Sequence, residues 1–433
     1  MIRFPSLPRW FWPLGGLIAC LLTLGMLWPK APMAIPAPVV VSILMPAVEV
    51  VEWQPIVAAF NREHRDIQLA MLEGPTSTDQ LESLYTTSFL LGDSPYDLVD
   101  LDISWLPKFA AAGWLLDISE RLSPTEQAAF LSPDLEGGRF QHQLYRLPTY
   151  TGAGLLYYRR DLLEQAGLEP PQTFTDLMAT AKILQNQGQV EWGYLWQGKQ
   201  YEGLSAMFVE VLAGFGGYWV NPDTLAVGLD QPAAIQAVEF LRQTITSGIS
   251  PPGVTTYAEE DTRRLFQAGK ALFLRNWPYV YPLANTADSP IQGKFAIQPM
   301  VHQPGLAPGA CQGGWGLGIA RGTRHPEAAW EVLRYLTSET VQKQFSLATG
   351  KMPTRKALYQ DPEILAQFPY FADLYPVIET AVLRPPITQY AQASDILQRY
   401  LSAALTGRLT PQEAMHQASQ ETRRLLGRVS ENV

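Results

Sequence analysis

The 433-residue chain contains only two cysteines, Cys20 and Cys311, too few for a disulfide framework, so a hydrophobic core must hold the fold. Charge is sparse at 17% and runs negative, with 41 Asp and Glu against 32 Lys and Arg, a net −9. Lacking a basic excess, the chain has no means of neutralising a phosphate backbone, which argues against nucleic acid as a partner. Histidine is scarce as well. His64, His142, His302, His325 and His416 stand apart, without HExxH or any other metal-ligand spacing. There is no G-x-S-x-G elbow, phosphate loop or dinucleotide fingerprint. The expectation is therefore no catalytic residue, no cofactor and no metal, with Cys311 an inert thiol. Carboxylates are plentiful, and a glycosidase pair stays open on composition alone.

What is present is apolar and aromatic. Hydrophobic residues make up 47% of the chain, with 12 Trp, 18 Tyr and 17 Phe. A chain this long exceeds the roughly 250–300 residues at which single cores give way to several. At the N-terminus, Arg3 and Arg9 precede an apolar stretch, residues 10–28, followed by PKAPMAIPAP. Residues 1–38 read as an export signal or membrane anchor, which places the rest of the chain in the periplasm or on the outer face of the membrane. Within the stretch, LIAC ends at Cys20 like a lipidation site, yet the apolar run LLTLGMLW continues past it. A lipid tether on Cys20 and an uncleaved helix both remain open.

After residue 38, apolar runs alternate with helical periodicity. Residues 39–44 form a strand. Trp53, Ile56, Val57 and Phe60 mark one helical face, and strands follow at 67–72 and 97–102. A second strand–helix series starts at residues 154–158, then a helix over 161–167 capped by Asp161, and another from Pro232 to Gly248. Helices close the chain: Leu397, Tyr400, Leu401 and Ala404 share a face, and Thr410 and Glu413 spell a capping box. This pattern gives two α/β lobes and a helical C-terminal region. Between the series lie two glycine-containing stretches, residues 147–154 and 311–318, that read as flexible hinges flanking a cleft.

Several polar and aromatic residues stand where such a cleft would use them. A sugar offers C–H patches to aromatic rings and a rim of hydroxyls to charged partners. Trp105, Tyr150, Trp277 and Trp315 sit at strand ends or in the glycine stretches. Asp102 ends its strand, where open α/β sheets place ligands, or else caps the turn that follows. Arg275 and Arg384 can fork onto hydroxyls or onto a structural carboxylate.

The runs YTTSFLLGDSPYDLVDLDISWLPKFAAAGWLLDIS, TYTGAGLLYYRRDLLEQAGL, WQGKQYEGL, FLRNWPYVYPLAN, GGWGLGIA, HPEAAWEVLRYLTS and RPPITQYAQASDILQRYLSAAL occur in that order. In this the chain resembles the extracellular solute-binding proteins of ABC sugar importers, in the branch that binds trehalose, maltose and glucosylglycerol. The resemblance implies a Venus-flytrap, class II-like periplasmic-binding-protein fold. Its N-terminal lobe would comprise residues 39–149 and 317–361, and its C-terminal lobe residues 154–312 and 362–433. Hinges would lie near 150–153, 313–316 and 361. It implies a monomer that binds a small sugar and delivers it to membrane permease subunits. By position, Glu49 and Asp102 would accept hydroxyl hydrogen bonds, and Tyr150, Trp277 and Trp315 would line the sugar. Backbone near Gly314 would close beside it, Arg384 would bind hydroxyls, and Glu202 would stand behind. One departure is Gly152, where the trehalose and maltose binders carry an aspartate. The missing acceptor removes a charged hydrogen bond of roughly 1.5–3 kcal/mol. An enlarged pocket and a glycosylated polyol such as glucosylglycerol follow as expectations.

Overall fold

The computed structural model describes residues 37–430 apart from Asp93. Cys20 and the apolar stretch at 10–28 lie outside the described residues. Two sheets organise the chain. In the first, strand β1 (Val39–Pro46) pairs in parallel with β2 (Ile67–Gly74) and β3 (Leu98–Asp102). Helix α1 (Ala47–Glu63) joins β1 to β2, burying Trp53, Ile56, Val57 and Phe60, the predicted face, in a core with Val41, Ile43 and Leu69. Helix α2 (Thr78–Leu90) leads to β3.

Strands β4 (Leu147–Ala153) and β5 (Leu155–Tyr158) follow one another across Gly154 but belong to different sheets. The second sheet pairs β5 antiparallel with β7 (Ala271–Asn276) and β8 (Ala296–Gln298), and β7 in parallel with β6 (Trp192–Leu195). Strand β9 (Gln312–Ile319) returns to the first sheet and lies antiparallel between β3 and β4, giving the order β2-β1-β3-β9-β4. Helices α3 (Arg160–Ala166), α4 (Glu202–Gly214) and α5 (Pro232–Thr246) surround the second sheet. Helices α6 (Pro326–Leu336) and α7 (Glu339–Thr349) pack on the first. Helix α8 (Pro362–Gln367), α9 (Phe371–Glu379), α10 (Tyr390–Leu405) and α11 (Pro411–Ser430) complete the chain. Leu397, Leu401 and Ala404 are buried against the second lobe, and Thr410 and Glu413 make the expected reciprocal cap.

Two expectations need correction. The stretches read as flexible are strands: Gly152 pairs with Gly313 and Thr151 with Gly314, and β4 is buried along its whole length. Small residues serve close packing there. A Cβ on Gly313 would stand 2.9 Å from the Trp277 ring, and Gly314 has φ +124°, with a Cβ position 2.8 Å from the Tyr150 carbonyl. Asp161 does not cap α3; it lies in the first turn, bound at 2.6 Å and 2.8 Å by the Arg159 guanidinium. Asp361 caps α8 and pairs with Lys343 at 2.8 Å.

Buried polar groups concentrate where the two sheets meet. Arg275 on β7 is wholly buried, its guanidinium forked onto Glu210 of α4 and held at 3.0 Å by Gln197. Arg146 is equally buried, donating to the carbonyls of Leu101 and Gly314. Asp134 lies against Gly314, near Arg146, Thr151 and Gln312, and neither of its oxygens has a protein partner. Burial pushes its carboxyl up to about 7, against the opposing pull of Arg146.

These groups generate two predictions. Arg275→Met leaves the buried Glu210 carboxyl without its cation, and should cost about 3–5 kcal/mol in urea denaturation, with most of the loss restored by the Arg275→Met/Glu210→Leu double variant. Wild-type stability in the single variant would show that the pair is dispensable. For Asp134, the raised folded pKa stabilises the protein fully below about pH 4 and loses that contribution as pH rises through about 7. Asp134→Asn should therefore gain about 2–4 kcal/mol over wild type near pH 8 and nothing near pH 4. A pH-independent difference between the two denaturation curves contradicts this.

Candidate functional site

The register of the first sheet brings three predicted residues into one row. Trp315 on β9 lies opposite Asp102 on one side and Tyr150 on the other. Directly opposed residues share a face of the sheet, so the acid and both rings project together. Trp105, in the 3₁₀ turn after β3, is buried and meets Trp315 edge to face at 5.3 Å. It supports the half-buried Trp315 ring rather than forming surface itself. Glu49 arrives from the adjacent strand, in the first turn of α1 beyond the carboxyl end of β1. Its Oε1 accepts from the Tyr150 hydroxyl and from Lys351 Nζ at 3.3 Å, while its Oε2 is buried without a partner.

The second lobe answers with groups from the carboxyl ends of β6 and β7. Trp277 follows β7 directly and is half-buried. Its ring packs over Gly313 and faces the Arg275 guanidinium at 4.2 Å. Arg275 is thus removed from the set of direct hydroxyl donors: its charge is spent on Glu210 and its flat surface braces Trp277. Glu202 opens α4, beyond β6. Burial raises its carboxyl above the usual range, and Arg384, Ser394 and Tyr390 pull in the opposite direction.

Arg384 joins the two halves. It comes from the loop between α9 and α10, and is almost completely buried. Nη2 donates to Asp102 Oδ1 at 2.9 Å and Nη1 to Glu202 Oε1 at 2.7 Å, one carboxylate from each lobe. Asp102 caps the turn that follows its strand, the same oxygen accepting from Ser104 N at 2.9 Å as well as from Arg384. Tyr390 and Ser394 fill the remaining acceptor positions of Glu202. They lie inside the run RPPITQYAQASD, at i and i+4 on α10, a spacing that puts both on one face.

Two expectations shift. The carbonyl of Gly314 accepts from Arg146 Nη2 at 3.0 Å, which fixes the backbone at the place expected to stand beside a ligand. Beside Gly152 the Pro278 ring closes in, with Cδ 3.3 Å from where a Cβ would stand, so the glycine opens little room on that side. Cys311 is buried, and desolvation pushes its thiol up to about 12, consistent with inertness. Lys351 and Glu52 were not legible as site residues. Lys351 follows Gly350 in a loop pinned to β4 by a Met352–Thr151 bridge, and no spacing in the sequence announces it. A cavity of about 410 Å³ behind the Arg384 loop, lined by Val209, Leu212, Trp219 and Pro385, is mostly apolar and lacks the converging polar groups of a sugar site.

Comparison with known proteins places this geometry in a family. Residues 47–343 match the model of bacterial extracellular solute-binding proteins. A probable ABC transporter-binding protein from Deinococcus radiodurans is 32% identical over 366 residues, 83% of this chain and 86% of its own. The structure of maltose-bound T. maritima MalE3 superposes with a TM-score of 0.84 at 36% identity, covering 89% of this chain and all of that one. A solute-binding protein from Thermotoga lettingae, solved with α-D-tagatose, gives 0.79 at 27% identity, covering 90% and 100%. The family's members bind solutes rather than transform them, and the fold is their two-lobe, maltose-binding-like architecture. The chain belongs to the bacterial extracellular solute-binding proteins of ABC transporters.

Proposed function

We propose that the protein captures a disaccharide or glycosylated polyol between its lobes and presents it to the permease of an ABC importer. The observation that carries this reading is Arg384, bound to a carboxylate of each lobe, one of them Asp102 in the row with Trp315 and Tyr150, while Trp277 packs over Gly313 two residues before Trp315. Rings for C–H faces and a charged rim for hydroxyls suit a neutral sugar. The maltose in the T. maritima MalE3 structure supports a ligand of disaccharide size. Maltose, trehalose, sucrose and glucosylglycerol form the candidate set. Glu49, Asp102, Tyr150, Trp277, Trp315 and Arg384 would contact the ligand, with Gly152, Gly314, Trp105, Glu202 and Arg275 shaping the surroundings.

Closure would turn on the β4–β5 passage at Gly154 and on β9, with a further crossing near Asp361. The family's location is extracytoplasmic. Among the described residues no helix is long and apolar enough to cross a membrane. Attachment, by lipid on Cys20 or by residues 10–28, is part of the proposal, as is a monomeric state.

Calorimetric titration against the four sugars tests the reading. At least one should bind and reduce the radius of gyration measured by small-angle scattering; four flat titrations would sink the substrate class. Trp277→Ala and Trp315→Ala should each weaken binding about 30- to 1,000-fold, from rings worth about 2–4 kcal/mol. For Trp277 the ligand-free protein should lose only about 1–2 kcal/mol, the cation–π contact with Arg275. A loss of about 3–5 kcal/mol with unchanged affinity would instead identify a core tryptophan.

A further inference from the structure

Lys351 occupies a position that the sugar-binding reading leaves unexplained. It is an ammonium with side-chain exposure of 12%, 2.7 Å from Glu52 Oε2 and 3.3 Å from Glu49 Oε1, and 4.3 Å from the centre of the Tyr150 ring. Glu49 and Glu52 lie one helical turn apart on α1, and both are drawn toward this one cation. Tyr150 completes the set by donating its hydroxyl to Glu49 Oε1. Every contact made to Glu49 falls on the same oxygen. The other, Oε2, is buried and has no partner. A dry carboxylate oxygen with no donor is costly unless a ligand or water supplies one.

We propose that Lys351 is a positioning residue that fixes the specificity of the N-terminal wall: it anchors Glu49 by one oxygen so that the other accepts a hydroxyl from a neutral, polyhydroxylated ligand. The inference rests on the sugar-binding reading and adds to it the group that holds the acceptor in place. Burial works against the Lys351 charge, but Glu49 and Glu52 outweigh it and keep the ammonium above its usual range. Burial also lifts the Glu52 carboxyl, with Lys351 opposing. The other ionisable groups facing this site are Tyr150, Asp100 and, behind Asp100, the buried Arg146; burial and Glu49 lift the Asp100 carboxyl well above the usual carboxylate range, with Lys351 and Arg146 opposing. Without Lys351, two neighbouring carboxylates would confront each other and Asp100 with no cation between them. At high pH they repel and Glu49 leaves its place; at low pH Glu52, whose carboxyl burial and Glu49 already lift, takes up a proton and the repulsion falls away.

The test is titration of wild type, Lys351→Met, Lys351→Arg and the Lys351→Met/Glu52→Gln double variant with maltose, trehalose, sucrose and glucosylglycerol, near pH 5.5 and pH 8. For whichever sugar binds wild type, Lys351→Met should weaken affinity by about 10- to 100-fold near pH 8, the scale of one charge-assisted hydrogen bond. Most of that loss should disappear near pH 5.5. Lys351→Arg should restore affinity, and the double variant, with one carboxylate left, should lose the pH dependence. A Lys351→Met protein that binds like wild type at both pH values overturns the inference while leaving the sugar reading intact. So does a loss that is equal at both pH values, the mark of a merely structural lysine. If wild type binds none of the four sugars, the underlying reading fails and this inference falls with it. Should Lys351→Met not fold, the Lys351→Arg and double-variant profiles carry the same comparison.

Discussion

The antiparallel pairing of β4 with β9 is the constraint on which the rest of the site depends. Those strands come from positions about 160 residues apart in sequence, and their register sets which side chains can face a ligand. It aligns Trp315 with Tyr150, and through β3 with Asp102. A one-residue slip would turn the entire row to the opposite face of the sheet. The same strands run into the second lobe at Gly154 and Gln312, so the surface that carries the row is continuous with the backbone that crosses between the two sheets.

Charge at this junction is arranged in closed sets rather than spread evenly. Arg275 is matched with Glu210, Arg384 with Asp102 and Glu202, and Lys351 with Glu49 and Glu52. Each set removes an ion from water and compensates it locally, which is the condition under which buried ions are tolerated. The sets differ in what they leave over. Arg275 and Glu210 satisfy one another and act as a brace for Trp277. Arg384 spans two lobes, so its bonds depend on how far apart they stand. Asp134 and Asp100 stand outside these sets: both are buried, and burial holds both carboxyls above the usual range while Arg146 pulls the other way.

The architecture was legible because each lobe advertises itself through alternating apolar runs, and the helical face of Trp53, Ile56, Val57 and Phe60 is a period that tertiary packing had no reason to override. The β4 and β9 stretches read as flexible rather than as strands because glycine content signals both flexibility and close packing. Only the position of the Trp277 ring over Gly313 and the Tyr150 carbonyl behind Gly314 decides between them. Aromatic site candidates could be found from their strand-end positions. Lys351 could not, since a lone lysine after a helix looks like any solvated charge until the chain returns to β4.

Cys311 has a practical consequence for measuring the separation of the lobes. Its thiol is buried, lies beside the Glu210 and Arg384 charges, and is held in its unreactive protonated form at neutral pH. In a soluble form beginning after residue 36 it would be the sole native cysteine. Maleimide dyes placed on one engineered surface cysteine in each lobe would then label without competition from the native thiol. The distance between the two sheets could be followed by energy transfer in single molecules with the junction chemistry left untouched.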